Sequence, residues 1–451
     1  MIPNTMGVIL VTLTFAVPSA IFTEAFLSFI GMGVAPPTPS WGSMCNEGLK
    51  TMQATPHELI FPALLISITG WPSTCSATDC AMLLMHGCDR VSSPTLVSDT
   101  TLNTDSQPVL EVSDLRVEFD TYGGIVQAVR GVNFAVHPGK TLAIVGESGC
   151  GKSVTVQSLM GLIPMPPGRI TGGSAHYQGQ EILGRTRLNG RELRGADIGM
   201  IFQDPMTSLN PTMTIGDQIA ETLQVHRGVS KSDALKRAVE LLSLTRIPEA
   251  EERAKQYPFE FSGGMLQRAM IATAIACEPS VLIADEPTTA LDVTIQAQIL
   301  DLLNDLQRDT NMAIILITHD LGVVARMADT VAVMYAGEMV EQGSAEDIFY
   351  RAAHPYTLGL RAAMPSNADD TEQSLQPIEG SPPDLFAPPA GCGYCARCPH
   401  AVNLCATQPP PRFELDDNKA SGHRVKCWQH HPEAPTPPAE LFTTKSAVSV
   451  S

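Results

Sequence analysis

The sequence predicts an α/β domain with a parallel sheet across residues 109–355, on three observations. "VLEVSDLRVEF" (109–119) alternates apolar and polar residues, as a half-buried strand does. "TLAIVGE" (141–147), "VLIADEP" (281–287) and "AIILITHD" (313–320) are short apolar runs that end in glycine or carboxylate, as strands buried on both faces do. Residues 217–257 read as helices with charged faces, and strands alternating with helices imply a parallel sheet.

The bulk numbers agree. A chain of 451 residues holds two or three domains, and 44% apolar against 17% charged residues suffice for a core. A net charge of −18 excludes a general nucleic-acid binder, because phosphates repel such a surface. Of eleven cysteines, five fall within Cys392–Cys427 and three within Cys75–Cys88. No basic n-region opens the chain, so a secretory signal is not expected, and a cytosolic body would keep thiols reduced and favour metal ligation over disulfides.

Outside 109–355 the chain changes character. Residues 7–33 carry one charge, Glu24, and are long enough to span a bilayer, whereas the apolar run 59–69 is about half a span. Residues 71–108 read as a junction and polar linker, 356–430 as a Pro- and Cys-rich extension, and 431–451 as a disordered tail.

"GESGCGKS" follows a predicted strand and opens a predicted helix, the context of a phosphate-binding loop. Gly146, Glu147, Ser148, Gly149, Cys150 and Gly151 offer backbone N–H groups to a β-phosphate, and the helix N-terminus adds its dipole. Lys152 is expected to reach the β- and γ-phosphates and Ser153 to ligate Mg²⁺; Cys150 reads as a small loop filler. At the end of the 281–285 strand, Asp285 is expected on Mg²⁺ and Glu286 as the general base that polarises the attacking water. A helix N-cap is the plainer reading of such a pair.

Between these lies "FSGGMLQR" (261–268). Ser262, Gly263, Gly264 and Gln267 match the signature of ATP-binding cassette (ABC) ATPases, which the chain resembles. The resemblance implies a P-loop NTPase fold with a parallel core, an antiparallel β subdomain and a helical subdomain. It implies that the 262–264 turn closes on ATP held by a partner cassette. Gln203 in "MIFQDP" looks like the family's Q-loop glutamine, which senses Mg²⁺ and the lytic water. Asp292 in "TALD" is similar to the D-loop, and His319 in "LITHD" to the switch histidine at the γ-phosphate. Tyr122 is the candidate for stacking on adenine, with Phe119 as its competitor.

"GESGCGKSVTVQSLMGLIP", "IFQDPMTSLNPTMTIGDQI", "HPYT" (354–357) and "EGSPPDL" (379–385) resemble the ATPase subunits of dipeptide and oligopeptide importers. Nickel importers are close relatives, and a non-transport ABC protein is the more distant alternative. The branch implies a second, paralogous ATPase subunit, two permease subunits and an extracytoplasmic peptide-binding protein. It places the chain peripherally at the cytoplasmic face of the bacterial membrane, and it includes no nucleic acid. Some members hold a [4Fe–4S] cluster in this extension, and here Cys392, Cys398, Cys405 and Cys427 would supply four thiolates. Cys395 departs from the family pattern and leaves a Zn²⁺ site, or a metal-free tail, as alternatives.

Residues 1–70 resemble the end of a permease subunit from the same system: a penultimate span followed by the start of a final one. The final span breaks off into "GWPSTCSATDCAMLLMHGCDR" (70–90), which has no period. The expectation is a joining of neighbouring permease and ATPase genes by a frameshift, with the membrane-like stretch a remnant.

Overall fold

A computed structural model describes residues 107–183, 193–289, 291–363, 378–415 and 422–434. The permease-like stretch 1–70, the junction up to residue 106 and the tail beyond residue 434 lie outside these. Among the described residues no helix is long and apolar enough to cross a membrane.

Strands β1 (Leu110–Thr121) and β2 (Gly124–Val136) form an antiparallel hairpin, as the alternation in 109–119 predicts. With β4 (Gly168–Tyr177) and β5 (Gln180–Glu181) they make a four-stranded sheet in the order β2-β1-β4-β5. The second sheet has eight strands. Its parallel part runs β9-β3-β8-β7-β6, from β3 (Thr141–Val145), β6 (Ile198–Ile201), β7 (Val281–Asp285), β8 (Ala313–Thr318) and β9 (Thr330–Tyr335). An antiparallel edge of β10 (Glu338–Ser344), β12 (Arg424–Val425) and β11 (Phe413–Glu414) extends it.

The period of two along a strand sorts these residues between cores. Leu142, Ile144, Val281, Ile283, Ile315 and Ile317 face a core shared with the four-stranded sheet and with helix α1 (Lys152–Leu159). Their neighbours Leu282, Ala284, Ile314 and Leu316 face a helical core. That core includes α2 (Ile215–Arg227), α3 (Lys231–Leu244), α4 (Gly263–Ala274) and α5 (Val293–Thr310). Ala143, Val145, Val331 and Val333 turn towards a third cluster containing Tyr335, Tyr356 and Tyr394. Strands committed on both faces need continuous apolar runs, which is why the three runs at 141–147, 281–287 and 313–320 are nearly all apolar.

The helix ends are read locally. Thr214 accepts from the Asp217 N–H and Ser230 from the Asp233 N–H, capping α2 and α3, and Gly228 ends α2 in the left-handed region. Short helices α6 (Leu321–Met327), α7 (Ala345–Tyr350) and α8 (Pro355–Ala362) follow. His354 caps α8: its buried Nδ1 accepts from the Tyr356 N–H.

Burial holds the His354 imidazole down at about 4, with the Glu341 carboxylate opposing and His430 adding to the effect. An unfolded histidine titrates near 6.5, so the unfolded chain binds this proton first as pH falls. Stability from this group is complete above about pH 6.5 and is lost progressively towards pH 4. Between pH 7 and pH 5 the loss is about 2 kcal/mol. Thermal denaturation should show a melting temperature that falls over this range, and His354→Gln should flatten the fall; an equal slope in both proteins would contradict the assignment.

Candidate active site

The phosphate loop forms where β3 leaves the sheet. A Cβ on Gly146 would lie 2.1 Å from the Met334 carbonyl oxygen, and one on Gly151 2.3 Å from that of Ala128, so a side chain fits at neither position. Both residues adopt positive φ, which glycine takes at little cost. Lys152 is buried, and its Nζ donates to the carbonyls of Gly146 at 2.8 Å and Glu147 at 3.0 Å. The ammonium therefore sits inside the loop that contributes the backbone N–H groups. Ser148 and Gly149 are exposed, whereas Cys150 is buried, which pushes its thiol up and leaves a packing role.

Next to the loop, Ser153 Oγ donates to Asp285 Oδ1 at 3.0 Å, joining α1 to the end of β7. Burial is the main cause that raises the Asp285 carboxyl above its ordinary value, with the Ser153 hydrogen bond opposing and the Glu286 charge adding. A hydroxyl and a carboxylate oxygen held together fit a hard divalent cation, whose charge would offset that desolvation.

Glu286 is the centre of the arrangement. Gln203 Nε2 and Thr289 Oγ1 both donate to its Oε2 at 3.0 Å, and His319 Nδ1 lies 3.3 Å from its Oε1. Its backbone has φ of +47°, an unfavourable conformation for a non-glycine residue, and its N–H donates to the Ile317 carbonyl at 2.9 Å. Residues from after β6, β7 and β8 thus converge at the C-terminal ends of adjacent parallel strands, where open α/β sheets place their ligands.

Other expected residues lie elsewhere. Ser262 is the N-cap of α4 without a side-chain capping bond, and Gly263 has open space around its Cα. Helix α4 belongs to the helical core and α1 to the inter-sheet core, so the 262–264 turn and the phosphate loop are built on different layers. Gln267 is 2% exposed and its Nε2 has no partner, so it lies within the helical core. Asp292 is the exposed N-cap of α5. Tyr122 is fully exposed at the β1–β2 turn, while Phe119 packs against the inter-sheet core.

Residues 129–289 match the ABC transporter family, and residues 340–405 match the oligopeptide/dipeptide transporter C-terminal region. The chain is 56% identical over 327 residues to the oligopeptide transport ATP-binding protein OppD of Bacillus subtilis, covering 72% of this chain and 90% of that protein. The chain belongs to the ATP-binding proteins of peptide ABC transporters. It is also 55% identical to the dipeptide transport ATP-binding protein DppD of Bacillus subtilis, covering 71% of this chain and 95% of that one. With OppD of Salmonella typhimurium it shares 54% identity, covering 67% of this chain and 89% of the relative. The ABC cassette explains why the loop, the Asp285–Glu286 pair, Gln203 and His319 occur together.

The four thiolates expected for a [4Fe–4S] cluster, or for the alternative Zn²⁺ site, are not gathered into a metal-holding group. Among the described residues no group of three or more His, Cys, Asp or Glu side chains is arranged to hold a metal ion. All five are free thiols. Burial pushes Cys392 and Cys427 up to about 12 and Cys398 to about 11, and the other cysteines' charges add to each shift. Ligation would release these protons, since the thiolate is the form that binds a metal.

Two contacts had no signal in the sequence. The Glu147 N–H donates to Tyr356 Oη at 2.9 Å, and Arg397 Nη1 donates to Glu147 Oε2 at 2.8 Å. They join the phosphate loop to residues 209 and 250 positions later, beyond the reach of any local pattern.

Proposed function

We propose that this ABC protein hydrolyses ATP to energise import of dipeptides or oligopeptides. The observation that carries the reading is the grip of Gln203, Thr289 and His319 on one carboxylate, Glu286, beside the Ser153–Asp285 pair. The importer assignment rests on the match to the peptide-transporter C-terminal region and on the OppD and DppD relatives.

Ser153 and Asp285 would hold Mg²⁺, which when bound neutralises charge developing on the transferred phosphoryl group. The chain's own residues do the rest. The loop N–H groups beyond Glu147, whose own N–H is held by Tyr356, bind phosphate with the α1 dipole, and Lys152 exchanges its loop carbonyls for phosphate oxygens. The Glu286 carboxylate accepts the proton of the attacking water, while Gln203 and His319 hold it in place. Tyr122 presents an exposed ring on which adenine stacks.

The 262–264 turn reads as the cradle that closes on ATP in a partner cassette, because it lies on a different layer from the chain's own loop. The proposed assembly pairs the chain with a second ATPase subunit and two permease subunits at the cytoplasmic membrane face, supplied by a peptide-binding protein. Residues 1–70 are assigned as a permease-derived remnant that takes no part in ATP chemistry. For the extension, a [4Fe–4S] cluster remains the finer reading, because a cubane holds its thiolates wider apart than one ion does. The full chain mixed with Mg-ATP should release phosphate, and EDTA should stop it. A chain that neither binds nor hydrolyses Mg-ATP would refute the reading.

A further inference from the structure

Glu147 places a carboxylate inside a loop built for anions. It does not stand alone. Arg397, whose side chain is 6% exposed, forms an ion pair with it at 2.8 Å. The other donors of the guanidinium are used on nearby groups: Nε on the Glu379 carbonyl at 2.9 Å, Nη2 on that of Ile378 at 3.2 Å, and Nη1 also on Tyr335 Oη at 3.2 Å. The group lies over the rings of Tyr335 and Tyr394, 5.8 and 5.9 Å from their centroids. A guanidinium fixed from so many sides cannot follow Glu147 if the loop moves. Arg397 ends the single turn Cys395–Arg397, so the charge that balances the loop comes from the Cys-rich extension.

We propose that Arg397 is a positioning residue for the phosphate loop: it holds the Glu147 carboxylate back from the bound phosphates, so that the 395–398 turn sets the affinity for ATP. Without it, a loop carboxylate faces a polyphosphate across a few ångströms, and like charges at that range repel strongly in a partly buried site. Tyr356 keeps the backbone of Glu147 in place by accepting its N–H, so the loss falls on the side-chain charge. The inference rests on residues 146–153 being the ATP site.

The test uses the full chain, with Mg-ATP binding followed by titration calorimetry and KM and kcat from phosphate release. Arg397→Ala and Arg397→Gln should weaken Mg-ATP about tenfold at low ionic strength, with KM rising more than kcat falls, and Arg397→Lys should lie between them and wild type. Adding Glu147→Gln to Arg397→Ala should recover affinity to within about threefold of wild type, because the unbalanced charge is gone. An Arg397 that only packs the extension predicts no recovery in the double variant, and the absence of recovery overturns the proposal. Wild-type binding with unaltered variants sinks the coupling alone. Failure of the wild type to bind Mg-ATP removes the ATP site and the coupling together.

Discussion

Glu286→Gln should abolish most phosphate release while leaving ATP bound. The substitution keeps the side-chain shape and an amide oxygen that accepts from Gln203 and Thr289, so the cluster at the strand ends stays assembled. What it removes is the basic carboxylate, and general-base catalysis contributes about 10²–10⁴-fold. Single-turnover phosphate release should fall by that order, with Mg-ATP affinity within a few-fold of wild type because Lys152 and the loop are untouched. The same variant should accumulate ATP-bound pairs of cassettes on size-exclusion chromatography. Wild-type turnover in Glu286→Gln would move the base elsewhere.

Glu341→Ala should cost the fold heavily. Glu341 is 1% exposed on β10. Its Oε1 accepts from the Ala353 N–H at 2.7 Å and lies 2.9 Å from His423 Nε2; its Oε2 accepts from the His354 N–H at 2.9 Å. Truncation strands two buried backbone donors and a buried imidazole, a loss of about 3–5 kcal/mol. The melting temperature should fall by on the order of 5–10 °C. Glu341→Gln, which keeps one strong acceptor, should lose about half as much. An unchanged melting curve for the alanine variant would show that these hydrogen bonds are replaced by others.

What the sequence disclosed follows from how far each physical signal reaches. The buried strands were legible because a strand covered on both faces must be nearly all apolar, and 142–145, 281–284 and 313–317 are. The phosphate loop was legible because glycines at 146 and 151 answer a steric demand of one turn. Glu286, Gln203 and His319 were legible through the resemblance, but their convergence on one carboxylate needed the sheet order. Gln267 matched a motif, and the fold buries it in the helical layer with its Nε2 unpartnered, which no sequence pattern foretells. Thr289 was passed over although it stands inside a quoted motif, because a lone threonine has no pattern. Arg397 was invisible: its partner lies 250 residues upstream, and "CARC" drew attention to sulfur. The cysteines stand differently. Their spacing suggests ligands, yet among the described residues they are not gathered into a group that would hold one metal ion.

Strand β12 has a consequence for how the protein is made. The edge of the main sheet at β10 is covered by Arg424 and Val425, which are translated more than eighty residues after it. Until they leave the ribosome, the nascent chain presents a half-finished ladder of unpaired amides and carbonyls, the kind of border that recruits stray strands. The nucleotide-binding half can mature during synthesis, but the sealing of that border waits for nearly the last residues, so the extension acts as a late-arriving selvedge against self-association.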